Sequence, residues 1–361
     1  MSASTREMKH QVSQLLTDSG AVVVAHGRTD HATRSVETLR RWLPRGHIVV
    51  VVNEPTAVDS ESLAALADRA MVISPSVPQG YGANLNLGVR TLPAGLDFLV
   101  LANDDVDFPG DSLPALIGHL RADHCVGAVG PIFRDVLGRT LPSVGAFPTA
   151  LDAILRSADL PARAGNLVRR ANERLQISRR AARAARVAPR TEAEPADWIV
   201  GAAMAVRAAA FHDVGGFDEG FFLYFEETDL CYRLWTNGWV VVTARNAAVV
   251  HVQGQSTTEA EYRTVFRQSR RRYLIKRLGF LRWTMLEVLF LFVLIATSLS
   301  GLAAALAKPK TASRRFKAMR ECWNRRVFLF PVFRRPHRNP PDRSEHNVAE
   351  TRKMSASSER G

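Results

Sequence analysis

The chain has 361 residues, 46% of them hydrophobic, and a formal net charge of +13, so one large domain or a domain with an appendage is allowed, with a sizeable core. The three cysteines, Cys125, Cys231 and Cys322, are far apart and fit no zinc spacing, and the polar stretch 1–20 has no apolar run of the signal-peptide kind. The basic balance suits polyanionic company, such as nucleic acid, anionic lipid or a pyrophosphate group, although an Arg- and Ala-rich composition bias explains it as well.

In chain order, Ala21 to Ala25 is a β-branched run of strand length, followed by the loop His26-Gly27-Arg28-Thr29-Asp30. A helix is predicted over 32–43, with Val36, Leu39 and Leu43 on one face, and Pro44-Arg45-Gly46 ends it. Residues 47–52 form a second buried-type strand leaving at Asn53-Glu54-Pro55-Thr56; 61–69 is helical and 71–73 a short third strand. The loop Pro78-Gln79-Gly80-Tyr81-Gly82 runs into a helix over 83–91, and 98–102 is a fourth strand ending at Asn103-Asp104-Asp105. Apolar strands that do not alternate, separated by helices, imply a parallel sheet covered on both faces, with ligands at the strand carboxyl ends. Residues 128–132 read as another strand. The stretch 151–190 is helical and rich in Arg, 198–206 returns to sheet character, 240–252 is strand-like, and 259–282 is a basic helix. Residues 283–306 are almost wholly apolar, long enough to span a bilayer or to lie in its plane, with basic residues on both sides that give no orientation.

Three constellations carry chemistry. Asn103-Asp104-Asp105 offers hard carboxylate oxygens at a strand end, the kind a divalent cation takes, although a turn or helix cap uses acids the same way. Glu226-Glu227-Thr228-Asp229 follows a run of aromatics; apolar packing raises a carboxylate pKa, which suits a general base. At spacing three, Glu226 and Asp229 share a helix face and Glu227 points elsewhere. His251 stands near a strand end, where a structural histidine is as ordinary as a ligand.

In this order and spacing the motifs resemble family-2 glycosyltransferases of the GT-A fold, over Gly20 to Ser256. The carriers are Val22 to Thr29, the Gly/Asn-rich segment Gly80 to Gly88, Asn103-Asp104-Asp105-Val106, Trp198 to Gly201, Gly215 to Glu219, Glu226 to Leu230 and His251. Among members, Gly127 to Asp135 with Leu141-Pro142-Ser143 looks most like bacterial rhamnosyltransferases of cell-wall and O-antigen assembly, with galactofuranosyltransferases near.

The resemblance implies an α/β fold with a mixed, mostly parallel sheet, helices on both faces and a C-terminal membrane-associated helical segment. It implies a donor contacted by Ala25, Asn53, Gly82, Asn86, Asn103 and Asp104, and a divalent cation, Mg²⁺ or Mn²⁺, on Asp105 and His251. Trp198, Gly201, Glu226 and Asp229 would meet the acceptor, and Glu227 would be the base of an inverting single displacement. Three positions depart from the family pattern: Asn53 and Glu227 each stand where Asp is usual, and Asp104 where Pro is. The expected partners are a nucleotide-diphosphate sugar, dTDP-rhamnose foremost, a polyprenyl-pyrophosphate-linked glycan acceptor and membrane lipid, with no nucleic acid. The expected place is the cytoplasmic face of the cell membrane. The expected organisation is a polar extension over 1–19, a catalytic domain over 20–258 with a basic insertion at 151–190, membrane-associated helices over 259–337 and a disordered tail over 338–361. The alternative is a catalytically idle domain serving as a membrane-bound assembly partner.

Overall fold

The computed structural model describes residues 16–26, 29–54, 60–149, 192–252 and 259–285, with 288 and 292. The expected insertion at 151–190, most of the apolar stretch 283–306 and the tail lie outside the described residues. So does the second of the chain's two compact units, Leu329–Gly361.

The β-branched runs become the centre of one sheet. β1 (Ser19–Ala25) and β2 (Ile48–Val52) are buried at every residue, and β3 (Met71–Ile73) and β4 (Phe98–Asn103) flank them in parallel. Burial of successive residues means that both pleat faces are covered. Helices α1 (Thr29–Leu39) and α3 (Tyr81–Thr91) both pack on β1 and β2, and α2 (Ser60–Ala67) packs beside α1. Gly88 allows the close approach of α3, because a methyl group there would overlap the Val22 side chain.

Beyond β4 the sheet turns mixed. Its order is β3-β2-β1-β4-β10-β6-β11-β5, with β8 also paired to β11. β6 (Val126–Arg134) and β11 (Val240–His251) keep the common direction, while β10 (Ala203–Arg207) runs antiparallel between β4 and β6. β5 (Val106–Asp107) and β8 (Ala193–Pro195) are antiparallel on β11, and β7 (Val144–Gly145) pairs with β9 (Trp198–Ile199) in a separate ribbon. Helix α4 (Ser112–Ala122), absent from the sequence reading, covers β6 and β11. After β10 come α5 (Ala208–Asp213) and α6 (Glu226–Thr236), and α7 (Glu259–Leu278) follows β11.

Two expected boundaries shift. Leu16 is buried and Asp18 holds Arg121 at 2.6 Å, so the fold begins before residue 20. Helix α7 belongs to the domain, because Tyr273, Leu274 and Trp283 are part of its core. Trp283, the first residue of the expected membrane segment, is therefore packed inward. No helix among the described residues is long and apolar enough to cross a membrane.

Candidate active site

The strand ends deliver the acids. β4 carries Asn103 at its end, whose N–H donates to the Ala202 carbonyl (2.8 Å), and the chain then turns. The Asp104 N–H donates to the Val24 carbonyl (3.2 Å), and its carboxylate accepts the His26 N–H (3.3 Å). Burial, then the neighbouring Asp105, push the Asp104 carboxyl up to about 7. β5 then pairs with the end of β11, setting Val106 opposite His251. That register places Asp105 Oδ1 3.2 Å from His251 Nε2, with both side chains largely buried. Phe133 supports the imidazole, ring centroids 5.8 Å apart. Residues distant in sequence thus meet through one strand pairing.

The second acid group starts α6. Tyr224 and Phe225 both adopt left-handed backbone, at φ 67° and 72°, an uncommon conformation for side chains of this size. This turn sends Glu226 and Glu227 into the interior. Glu226 packs against Gly82, where a Cβ would come within 3.4 Å of the Glu226 Cβ. Glu227 lies over Gly201, where a Cβ would come within 3.1 Å of the Glu227 Cβ. Each carboxylate has one buried oxygen, Oε2, with no hydrogen-bond partner among the described residues. Burial pushes Glu227 up to about 7 against the pull of backbone amides at the helix start. Glu226 is raised well above its ordinary range by burial and then by Glu227.

Tyr81 joins the two groups. Its hydroxyl donates to the Gly201 carbonyl (2.9 Å). Its pKa is raised by burial first, then by Glu226, Asp105, Glu227 and Asp104, so all four carboxylates act on this one hydroxyl. The sequence reading placed Tyr81 only in a glycine-rich loop. A lone aromatic at a helix start beside a strand-end ligand region is the signal that was available.

Several expected site residues also tie loops together. The Asn53 amide exchanges hydrogen bonds with the Gln79 backbone (2.8 and 3.1 Å) and accepts from Asn84 (2.8 Å), so it ties down the loop before α3. Asn86 pairs with the Phe217 backbone in both directions (2.9 and 3.0 Å) and donates to Glu219 (3.0 Å), holding the Gly215 to Glu219 loop. The Ala25 carbonyl is taken by the Asn53 N–H (2.9 Å). The Trp198 indole donates to the Ala146 carbonyl (2.9 Å) within the β7–β9 ribbon.

The expected pairing of Glu226 with Asp229 on one face needs correction. Glu226 turns to α3, whereas Asp229, fully buried, turns to α7. There it binds Lys276 (2.9 Å) and Arg277, with Arg233 (2.7 Å) from its own helix. Asp229 thus joins α6 to α7 through three cations.

Asp105 and His251 offer one hard oxygen and one imidazole nitrogen side by side, with Asp104 adjacent, a donor set that suits Mg²⁺ or Mn²⁺. No group of three or more His, Cys, Asp or Glu that could hold an ion was found among the described residues. A cation held here would therefore take its other ligands from diphosphate oxygens and water.

The chain is similar to known proteins in both sequence and fold. Residues 166–323 match the family model described as glycosyl transferase family group 2. The chain is 33% identical over 189 residues to an N-acetylglucosaminyl-diphospho-decaprenol L-rhamnosyltransferase of Mycobacterium tuberculosis (strain H37Rv), covering 49% of this chain and 57% of the relative. It is 27% identical over 220 residues to the rhamnosyltransferase WbbL of Escherichia coli (strain K12), covering 59% of this chain and 75% of the relative. By these matches the chain is similar to family-2 glycosyltransferases over part of its length. The match spans little more than half the length of the mycobacterial relatives. The family-model match takes in Trp198, Gly201, Glu226, Glu227, Asp229 and His251 but stops short of Asn103 to Asp105. Among solved structures, GalNAc-T7 with UDP, GalNAc and Mn²⁺ superposes with a TM-score of 0.48 at 16% identity, over 68% of this chain and 45% of that one. The mannosyltransferase PcManGT of Pyrobaculum calidifontis with GDP-Man and Mn²⁺ gives 0.47 at 15% identity, over 89% and 92%.

Proposed function

We propose that this chain is a family-2 glycosyltransferase that moves a rhamnosyl group from a nucleotide diphosphate, dTDP-rhamnose foremost, to a lipid-linked glycan acceptor, with inversion at the anomeric carbon. The carrying observation is Glu227: a buried acid with one unpaired oxygen, packed on Gly201, whose carbonyl holds the Tyr81 hydroxyl that Asp104 and Asp105 also influence. An acid in that state takes a proton readily near neutral pH. Glu227 accepts the proton of the acceptor hydroxyl, whose oxygen bonds to the anomeric carbon. The bond from that carbon to the diphosphate breaks, and its electron pair leaves with the phosphate. One base and no protein nucleophile suffice for a single displacement. Asp105 and His251 would hold a divalent cation, which when bound neutralises charge on the diphosphate. Tyr81 orients the Gly201 wall behind Glu227, and Glu226 meets the acceptor from the α3 side.

The choice of sugar and acceptor is supported by the name of the mycobacterial relative, which specifies an L-rhamnosyl group and a diphospho-decaprenol carrier. We place the reaction at the cytoplasmic face of the membrane. Leu281, Met285, Val288 and Phe292 are exposed at helical spacing, and the chain beyond is apolar. The test is a donor screen on purified protein with extracted polyprenyl-diphosphate glycans, reading released nucleotide. Release of dTDP from dTDP-rhamnose that needs both acceptor and cation is the expected result. Absence of release from every nucleotide sugar tried would return the idle-domain alternative.

A further inference from the structure

Two consecutive bulky residues, Tyr224 and Phe225, sit in left-handed backbone, a conformation that persists only where the surroundings enforce it. The start of α3 holds the approach to this turn, where the Tyr81 N–H donates to the Phe222 carbonyl (2.8 Å), and further contacts come from α7. Ser269 Oγ donates to the Leu223 carbonyl (2.7 Å) immediately before the turn. Phe266 packs on both Tyr224 and Phe225, with ring centroids 5.9 and 5.1 Å apart. The same helix grips the chain on either side. Before the turn, Arg272 (3.0 Å) and Lys276 (2.7 Å) bind Asp218, and any side chain at Gly220 would collide with Arg272. After it, Lys276 and Arg277 bind the buried Asp229, and the Arg277 guanidinium lies 3.7 Å from the Tyr232 ring centroid.

We propose that α7 is a clamp that fixes the 224–225 turn and thereby positions the Glu227 carboxylate, with Ser269 and Arg277 as its positioning residues. The proposal rests on Glu227 as the base, and α7 itself touches no reacting atom. Ser269 is the informative position, since removing one hydroxyl leaves the fold intact.

The experiment reads amide hydrogen exchange over residues 222–229, melting temperature, and kcat and donor KM for the full chain carrying Ser269→Ala, Ser269→Thr or Arg277→Met. Loss of one hydrogen bond corresponds to about a fivefold change. Ser269→Ala is therefore expected to speed exchange in 222–229 and lower kcat by about that factor, with donor KM unchanged. Ser269→Thr restores both, and Arg277→Met exceeds Ser269→Ala in both. A Ser269→Ala protein with wild-type exchange over 222–229 overturns the clamp, as does one in which exchange rises across the whole sheet and kcat and KM worsen together. Glu227→Gln in the same assay separates the two ideas: full turnover there overturns the base reading, whatever the exchange data say about α7.

Discussion

Replacing Glu227 by Gln keeps the volume packed on Gly201 but removes the proton acceptor. General-base catalysis typically contributes about 10²–10⁴-fold, equivalent to roughly 3–5 kcal/mol of barrier, so kcat should fall by that factor while donor KM stays near wild type. Burial sets the pH dependence. With the carboxyl pushed up to about 7, roughly half the wild-type protein carries the active carboxylate at neutral pH. One unit lower, about a tenth does, so wild-type kcat should climb about tenfold per pH unit up to that midpoint and then level off. Glu227→Gln should lose this limb of the profile. The stability effect has the opposite sign. A carboxylate whose folded pKa lies above its ordinary 4.5 stabilises the fold when protonated; that contribution is complete below about 4.5 and lost as pH rises through 7. The difference corresponds to roughly 3 kcal/mol, so Glu227→Gln should melt above wild type at about pH 8 and alongside it at about pH 4. Kinetics of nucleotide release across pH, with calorimetric melting of the same samples, read both effects. A Gln variant with wild-type kcat and an unchanged pH profile would refute the assignment.

Other outcomes follow from the same geometry. Gly201→Ala brings a methyl to 3.1 Å from the Glu227 Cβ; the displaced base should cost about tenfold or more in kcat with donor KM held, and an unaffected kcat would show that the wall is not needed. Asp105→Ala should abolish transfer and cation-dependent donor binding, measured by titration calorimetry, while full activity in EDTA would rule out the cation. Asp229→Ala leaves Lys276, Arg277 and Arg233 without their shared anion; a loss of about 3–5 kcal/mol in denaturant unfolding is expected, and a change below about 1 would contradict its role as a hub. Leu281→Asp with Met285→Asp should move the protein from the membrane to the supernatant fraction, and unchanged pelleting would place the anchor elsewhere.

The central strands were legible because Val22 to Ala25 and Ile48 to Val52 are apolar at every position, which only a two-face burial requires. The direction of β10 was not legible, since an apolar run carries no sign of antiparallel pairing. Helix α4 was missed because Pro114 and Gly118 break its pattern; Pro114 sits in the first turn, where a missing N–H costs nothing. At the site, the approach of Asp105 to His251 was legible from residue types in a family order. The loop-holding bonds of Asn53 and Asn86 to Gln79, Asn84 and the Phe217 backbone were not, because an amide's partners across the fold leave no local pattern. The cations around Asp229 were not legible either, as Lys276 and Arg277 lie on a helix expected to belong to a different domain.

The pairing of β5 with β11 also has a temporal side. Asp105 is synthesised long before His251, and β11 is the last strand of the sheet among the described residues. A chain emerging from the ribosome amino end first carries the acids of β4 but lacks the imidazole beside them, and Glu227 still lacks α7 behind its turn. On the proposed function, the nascent chain should stay inert toward nucleotide sugars until β11 docks. Point changes at the Val106–His251 register should then appear as slow maturation of activity after synthesis, well before they lower the equilibrium stability of the finished protein.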